Sequence, residues 1–124
     1  MYPTVFKLKN RATIIITAKQ PFVDWLNNHP LSKTDQYGPT RLEIVNHEPH
    51  VYLMPFREND DIDHMVEVSK PFFLDAILPG YFIYEKDWPT QRDNALFDQW
   101  FTVSWASMVF DLAEDNIEKE EFRS

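Results

Sequence analysis

Two histidines and a glutamate fall within the five residues NHEPH, at His47, Glu48 and His50, and such a set could hold a metal ion. The chemistry would be metal-assisted hydrolysis: imidazole nitrogens ligate a zinc-type ion and a carboxylate takes the proton of its bound water. The spacing argues against it. Helical zinc motifs place two histidines four residues apart on one face, whereas here they are three apart and Pro49 interrupts any helix between them. Asn46 and Pro49 are turn formers, so the expectation is a turn. A metal-assisted hydrolase built on His47 and His50 stays as an alternative.

No other constellation of catalytic type is present. There is no Gly-x-Ser-x-Gly elbow, and Ser104 and Ser107 lie in an apolar run where hydroxyls bond backbone. Asp60 with Asp61, or Asp87 with Asp93, could pair for acid–base work, but carboxylates so placed usually cap helices. His29, in a proline-bounded loop, and His64, on the polar side of an acidic helix, are expected to be surface histidines. The chain has no cysteine, which removes thiolate nucleophiles and disulfides and is simplest in a cytoplasmic protein. Gly38 and Gly80 are its only glycines, so no glycine-rich phosphate loop can form. No catalytic residue, cofactor or metal is assigned.

Charge is more informative. Twenty carboxylates face twelve lysines and arginines, for a net charge of −8. Residues 1–20 hold only cations (Lys7, Lys9, Arg11, Lys19), and residues 58–67 only carboxylates (Glu58, Asp60, Asp61, Asp63, Glu67). Residues 111–124 are again acidic. Such a chain repels a polyanion, so direct nucleic-acid binding is not expected and a basic protein partner is. No apolar run reaches the roughly 18 residues of a membrane span, and no export signal is visible. Among the tryptophans, Trp88 precedes a proline in a loop, a suitable place for an exposed aromatic anchor. Asp60, Asp61, Asp63 and Trp88 are thus the candidate interaction residues.

The elements that must position these residues follow from periodicity. Residues 12–17, ATIIIT, read as a strand buried on both faces. Pro21 opens a helix presenting Phe22, Trp25 and Leu26 and ending near Asn28, followed by a loop over residues 29–39. Thr40 and Glu43 fit a capping box, predicting a helical turn over residues 41–46, with a strand over residues 42–44 as competitor. Residues 50–54 form a second strand. Asp60 or Asp61 caps a helix with Ile62, Met65, Val66 and Ser69 inward, which Pro71 must break or kink before a further segment. Asp93 caps a helix presenting Leu96, Phe97 and Trp100. Residues 101–112 read as a strand with a bulge near Ala106–Ser107 that turns both apolar sets inward, with a helix, apolar nearly all round, as competitor. The tail, with Ile117 and Phe122 as its large apolar residues, is expected to fray from about residue 116.

These elements make one α+β domain over residues 1–124. The expected sheet is small and mixed, of about three strands, covered on one face by helices. A right-handed parallel crossover joins the first two strands in this reading, and the last strand is central.

The segments KQPFVDWLN (residues 19–27), VYLMP (51–55) and WPTQRDNALFDQWFTVSWASMVFDL (88–112) resemble a family of small acidic bacterial proteins. The resemblance spans about Arg11 to Leu112. It implies this order of segments and no activity. The leading expectation is a non-enzymatic protein-interaction module, and an acidic nucleic-acid mimic that inhibits a DNA-binding or defence protein is a further alternative.

Overall fold

A computed structural model describes residues 4–32 and 38–122. Its organising element is the β-branched run predicted as a strand, with β1 (Phe6–Lys7) before it and β2 (Arg11–Ala18) carrying it. Along β2, Ala12, Ile14 and Ile16 are fully buried, while Thr13, Ile15 and Thr17 on the other face are half-buried. β3 (His50–Pro55) and β4 (Phe101–Ala106) flank it in the order β3-β2-β4. β5 (Phe110–Asp111) pairs with β1 in a separate two-stranded ribbon.

Helices cover the Ile14 face. In α1 (Gln20–Asn28), Pro21 occupies the first turn, where its missing N–H costs nothing, and Phe22, Val23 and Leu26 are buried. α2 is the short Leu42–Val45 turn. α3 (Ile62–Ile77) is capped by Asp61, whose carboxylate accepts from the His64 amide at 3.2 Å. α4 (Asn94–Trp100) is capped in the same way by Asp93 on Leu96 at 2.9 Å. Phe22 is central to the core, with ring centroids 4.7 Å from Phe101 and 5.2 Å from Trp100. Burying each such side chain contributes roughly 1.5–3 kcal/mol. The result is a small single-domain α+β fold.

Several expectations need correction. The parallel crossover is replaced by antiparallel pairing, Ile16 opposite His50 and Arg11 opposite Pro55. The reason is at Asn46, whose amide donates to the Ala18 carbonyl at 2.9 Å and accepts from the Ala18 N–H at 2.8 Å. The connection therefore returns to the end of β2 that it left, and β3 must run back. β2 is central, not the last strand, and all three strands pair antiparallel.

The run 101–112 is not one bulged strand. It ends at Ala106, and Phe110–Asp111 turn away to join β1, so Met108, Phe110 and Leu112 are exposed instead of inward. Trp105 is 42% exposed, and its indole donates to Asp63 at 3.2 Å. The capping box does not form either: α2 begins after Arg41 without a side-chain cap. Thr40 is held instead by Asn27, whose amide bonds its N–H (2.9 Å) and its carbonyl (3.0 Å). Of the loop predicted over residues 29–39, residues 33–37 lie outside the described residues.

α3 also continues through Pro71. A proline inside a helix leaves the carbonyl four residues earlier without its donor, here that of Glu67. Asn94 supplies one, its Nδ2 lying 2.8 Å from the Glu67 oxygen. Two expected outcomes follow. Asn94→Ala should destabilise the protein more with Pro71 than in a Pro71→Ala background, where the restored N–H can bond Glu67; thermal denaturation of the double-mutant cycle should give a coupling of roughly 0.5–1.5 kcal/mol. Phe97→Ala should cost roughly 3–5 kcal/mol and Trp105→Ala less than half as much, since Phe97 alone of the two is fully buried.

Candidate functional site

Where β3 meets the C-terminal half of α3, the helical layer leaves a cavity of about 600 Å³. Strand alternation sends His50 and Tyr52 to the inner face, toward that space, while Val51 and Leu53 point outward and are exposed. α3 contributes Phe72 and Asp75 to the rim, the following loop adds Ile83, and Phe122 of the tail stands at the mouth.

Two polar groups converge in this mostly apolar space. Neither the His50 ring nor the Tyr52 hydroxyl has a side-chain hydrogen-bond partner among the described residues. Burial lowers the His50 pKa from 6.5 and raises that of Tyr52 from 10.0, so both are neutral near pH 7. The Tyr52 ring is held against Phe73 at 5.3 Å. These two groups can therefore offer uncharged donors and acceptors beside exposed aromatic surface.

The loop after α3 is held by one side chain. Arg92 donates to Asp75 and to Glu85, each at 2.7 Å, and to the Pro89 carbonyl at 2.8 Å, while its guanidinium lies 5.4 Å from the Trp88 ring. The Asp75 bond, outweighing partial burial and reinforced by Glu85, raises the Arg92 pKa. Trp88 is half-buried, with its indole donating to the Phe82 carbonyl at 2.7 Å. It braces the loop, and the large apolar side chains the loop presents to water are Ile83, 74% exposed, and Tyr84, 65% exposed. Ile83 and Phe72, the latter 65% exposed on α3, rim the cavity.

Asp60, Asp61 and Asp63 do come together, all exposed, at the start of α3. Each already has a local bond. Asp60 accepts from the Arg57 N–H at 2.8 Å, Asp61 caps the helix, and Asp63 accepts from Trp105. His47 is exposed in the bend between α2 and β3, and His50 belongs to the strand after it. No three metal-ligating side chains cluster among the described residues. His29 is not a simple surface histidine: its ring stacks on Phe82 at 4.0 Å and its Nε2 donates to the Asp87 carbonyl at 2.8 Å, with Nδ1 accepting from Leu31.

Sequence reading missed the buried Lys70, whose ammonium bridges Glu67 (2.6 Å) and Asp98 (2.8 Å) and so ties α3 to α4. Burial opposes its charge, but bonds to Asp98 and Glu67 outweigh burial and raise its pKa. Its place in the helical repeat of Val66, Phe73 and Ile77 marked it as inward; its partner on another helix had no local signal. No protein family model, no curated protein and no solved structure matches the chain.

The lowered His50 pKa has a definite sign. The unfolded chain takes the proton first, so His50 costs the fold nothing well above 6.5 and destabilises it as pH falls through that value. Ring-proton NMR should give a His50 midpoint below 6.5, and His50→Gln should flatten the acid-side loss of stability. A midpoint at or above 6.5 would mean that the ring is not held in the cavity wall.

Proposed function

We propose that this chain is a non-enzymatic interaction module that receives an apolar, basic segment of another protein at the Phe72–Ile83 rim. The observation that carries the reading is the exposure of Phe72, Ile83 and Tyr84 on elements that are held stiff, α3 and the Arg92-braced loop. Exposed apolar side chains on a rigid support are characteristic of association sites, because binding then loses little conformational entropy. A net charge of −8 favours a basic partner and speeds its encounter. Asp60, Asp61 and Asp63, at the other end of α3, contribute to that long-range attraction in this reading, and Trp88 acts by supporting the loop.

A nucleic-acid mimic would present a continuous negative face, and the clustered cations described below weaken that alternative. The metal-assisted hydrolase lacks a third ligand near His47 and His50 among the described residues. The similarity to small acidic bacterial proteins assigns no activity, so the reading rests on geometry. Among the described residues no helix is long and apolar enough to cross a membrane, and the cysteine-free composition suits the cytoplasm proposed for the chain.

Immobilised protein should retain a basic partner from a native lysate, and Phe72→Glu with Ile83→Glu should lower its affinity by about tenfold or more without lowering the melting temperature. Asp60, Asp61 and Asp63 all changed to Asn should mainly slow association, and less so at high salt. Equal retention of the same partner by wild type and the Phe72/Ile83 variant would overturn the assignment of the rim.

A further inference from the structure

The end of the sheet opposite His50 carries chemistry of the other sign. A cleft of about 590 Å³ is lined by Lys7, Lys9, Arg11 and Arg57, with Leu8 and Phe56 as apolar walls. The cations come from separate segments: Lys7 from β1, Lys9 from the turn after it, Arg11 from the first position of β2, and Arg57 from the turn after β3. Backbone bonds hold those segments in place, and that of Phe56 to Asn10 joins two of them. Leu8 N–H donates to Val109 at 2.8 Å, Phe56 N–H to Asn10 at 3.2 Å and Asp60 N–H to Arg57 at 2.9 Å. The cleft is thus built by the sheet's own connections and does not depend on one flexible arm.

None of these four cations has a carboxylate within 4.0 Å among the described residues, although Lys70, Lys86 and Arg92 each do. That is contrary to composition, because the chain has 20 carboxylates for 12 lysines and arginines. Like charges gathered without close counter-charges repel one another and weaken the fold slightly, a cost that a bound anion offsets. Glu58 and Asp60 also line the cleft, and one Asp60 oxygen is held by the Arg57 N–H, so four cations against two carboxylates leave a formal +2.

We propose that this cleft binds a compact phosphate-type anion carrying two or more negative charges. Guanidinium groups match phosphate oxygens in pairs, and lysines add unpatterned positive charge, so Arg11 and Arg57 orient the ligand while Lys7 and Lys9 strengthen its attraction. Compactness follows from the net charge: a short anion feels mainly the four nearby cations, whereas a long polyanion also meets the acidic remainder of the chain. The anion is either inorganic or the phosphate end of an organic ester whose apolar part lies on Phe56 and Leu8.

The test is an amide NMR titration at low salt with inorganic pyrophosphate, adenosine diphosphate and adenosine as separate probes. Saturable shifts at residues 7–11 and 57–60 with pyrophosphate or adenosine diphosphate are expected, with adenosine silent. Tighter binding of adenosine diphosphate than of pyrophosphate assigns an organic ester, and the reverse order an inorganic anion. Arg57→Gln and Lys9→Gln, both at exposed side chains, should each weaken binding by about tenfold, while Lys119→Gln should not. Absence of saturation, or equal losses at Lys119 and Arg57, would overturn the proposal. Phe72→Glu with Ile83→Glu should leave the titration unchanged, so this site and the rim of the interaction module fail or stand separately.

Discussion

The C-terminal end of β2 is the junction on which the architecture depends. Ala18 gives both backbone groups to Asn46, and the next residue, Lys19, donates its N–H to Trp100 at 2.7 Å. One neighbour brings in β3 and the other brings in β4. Its ammonium also reaches the Asp98 carbonyl, at 2.5 Å. The chain therefore leaves this point through α1 and returns to it twice, once after α2 and once after α4. Both flanking strands must then run antiparallel to β2, and the helices between them must stack on one face. Side-chain amides are suited to this task because one Asn can satisfy an N–H and a C=O together, as another strand would. Asn27 repeats the device on Thr40, holding the start of α2 in place.

Legibility in the sequence followed the range of the interaction involved. β2, α1 and α4 were readable because their determinants are local: β-branched residues in a row, a proline in a first turn, an aspartate three residues before the amide it caps. The strand at residues 50–54 and the helix at residues 41–46 also appeared where expected, within a residue or two. Strand direction was not readable, because it was decided by Asn46 and Ala18, 28 residues apart. Pro71 misled for the same reason. A local rule says that it breaks a helix, and the donor that repairs the break comes from Asn94 on another element. The apolar run at residues 101–112 looked like a central strand because apolar residues suggest burial, yet its second half is needed to pair with Phe6–Lys7 at the surface.

The candidate sites show a similar division. The acidic start of α3 was visible as a run of carboxylates, and of the two caps it offered, Asp60 or Asp61, the structure uses Asp61. Trp88 stands out by its loop position before a proline, but its indole is used internally, and the exposed large apolar groups of that loop are Ile83 and Tyr84. His50 and Tyr52 carried a readable signal in strand alternation, since both must face the side opposite Val51. Their unpaired polar atoms depend on where α3 ends, which periodicity does not give. Arg92 could not be assigned its partners in advance, because Asp75 and Glu85 meet it only after the chain has turned around Gly80.

Charge separation along the sequence turns out not to be charge separation in space. The cation-only segment at residues 7–11 and the carboxylate-rich segment from Glu58 meet at one end of the sheet, because Arg11 opposes Pro55 and the chain turns into α3 immediately afterwards. Antiparallel pairing of β2 and β3 forces that meeting. With the parallel crossover expected from sequence, the turn after β3 would lie near the far end of β2, and Arg57 would be remote from Lys7 and Lys9. The same antiparallel pairing places His50 beside Ile16, so the aromatic-rimmed cavity and the cationic cleft occupy opposite ends of one small sheet. A ligand in the proposed anion cleft would touch the first residue of β2, and a partner at the proposed rim would touch the strand paired with its last residues. β2 is fully buried along Ala12, Ile14 and Ile16, so it offers little freedom to move between them. Simultaneous occupancy without mutual interference is what this rigid central strand leads one to expect, since coupling would require an element with two arrangements and β2 offers one.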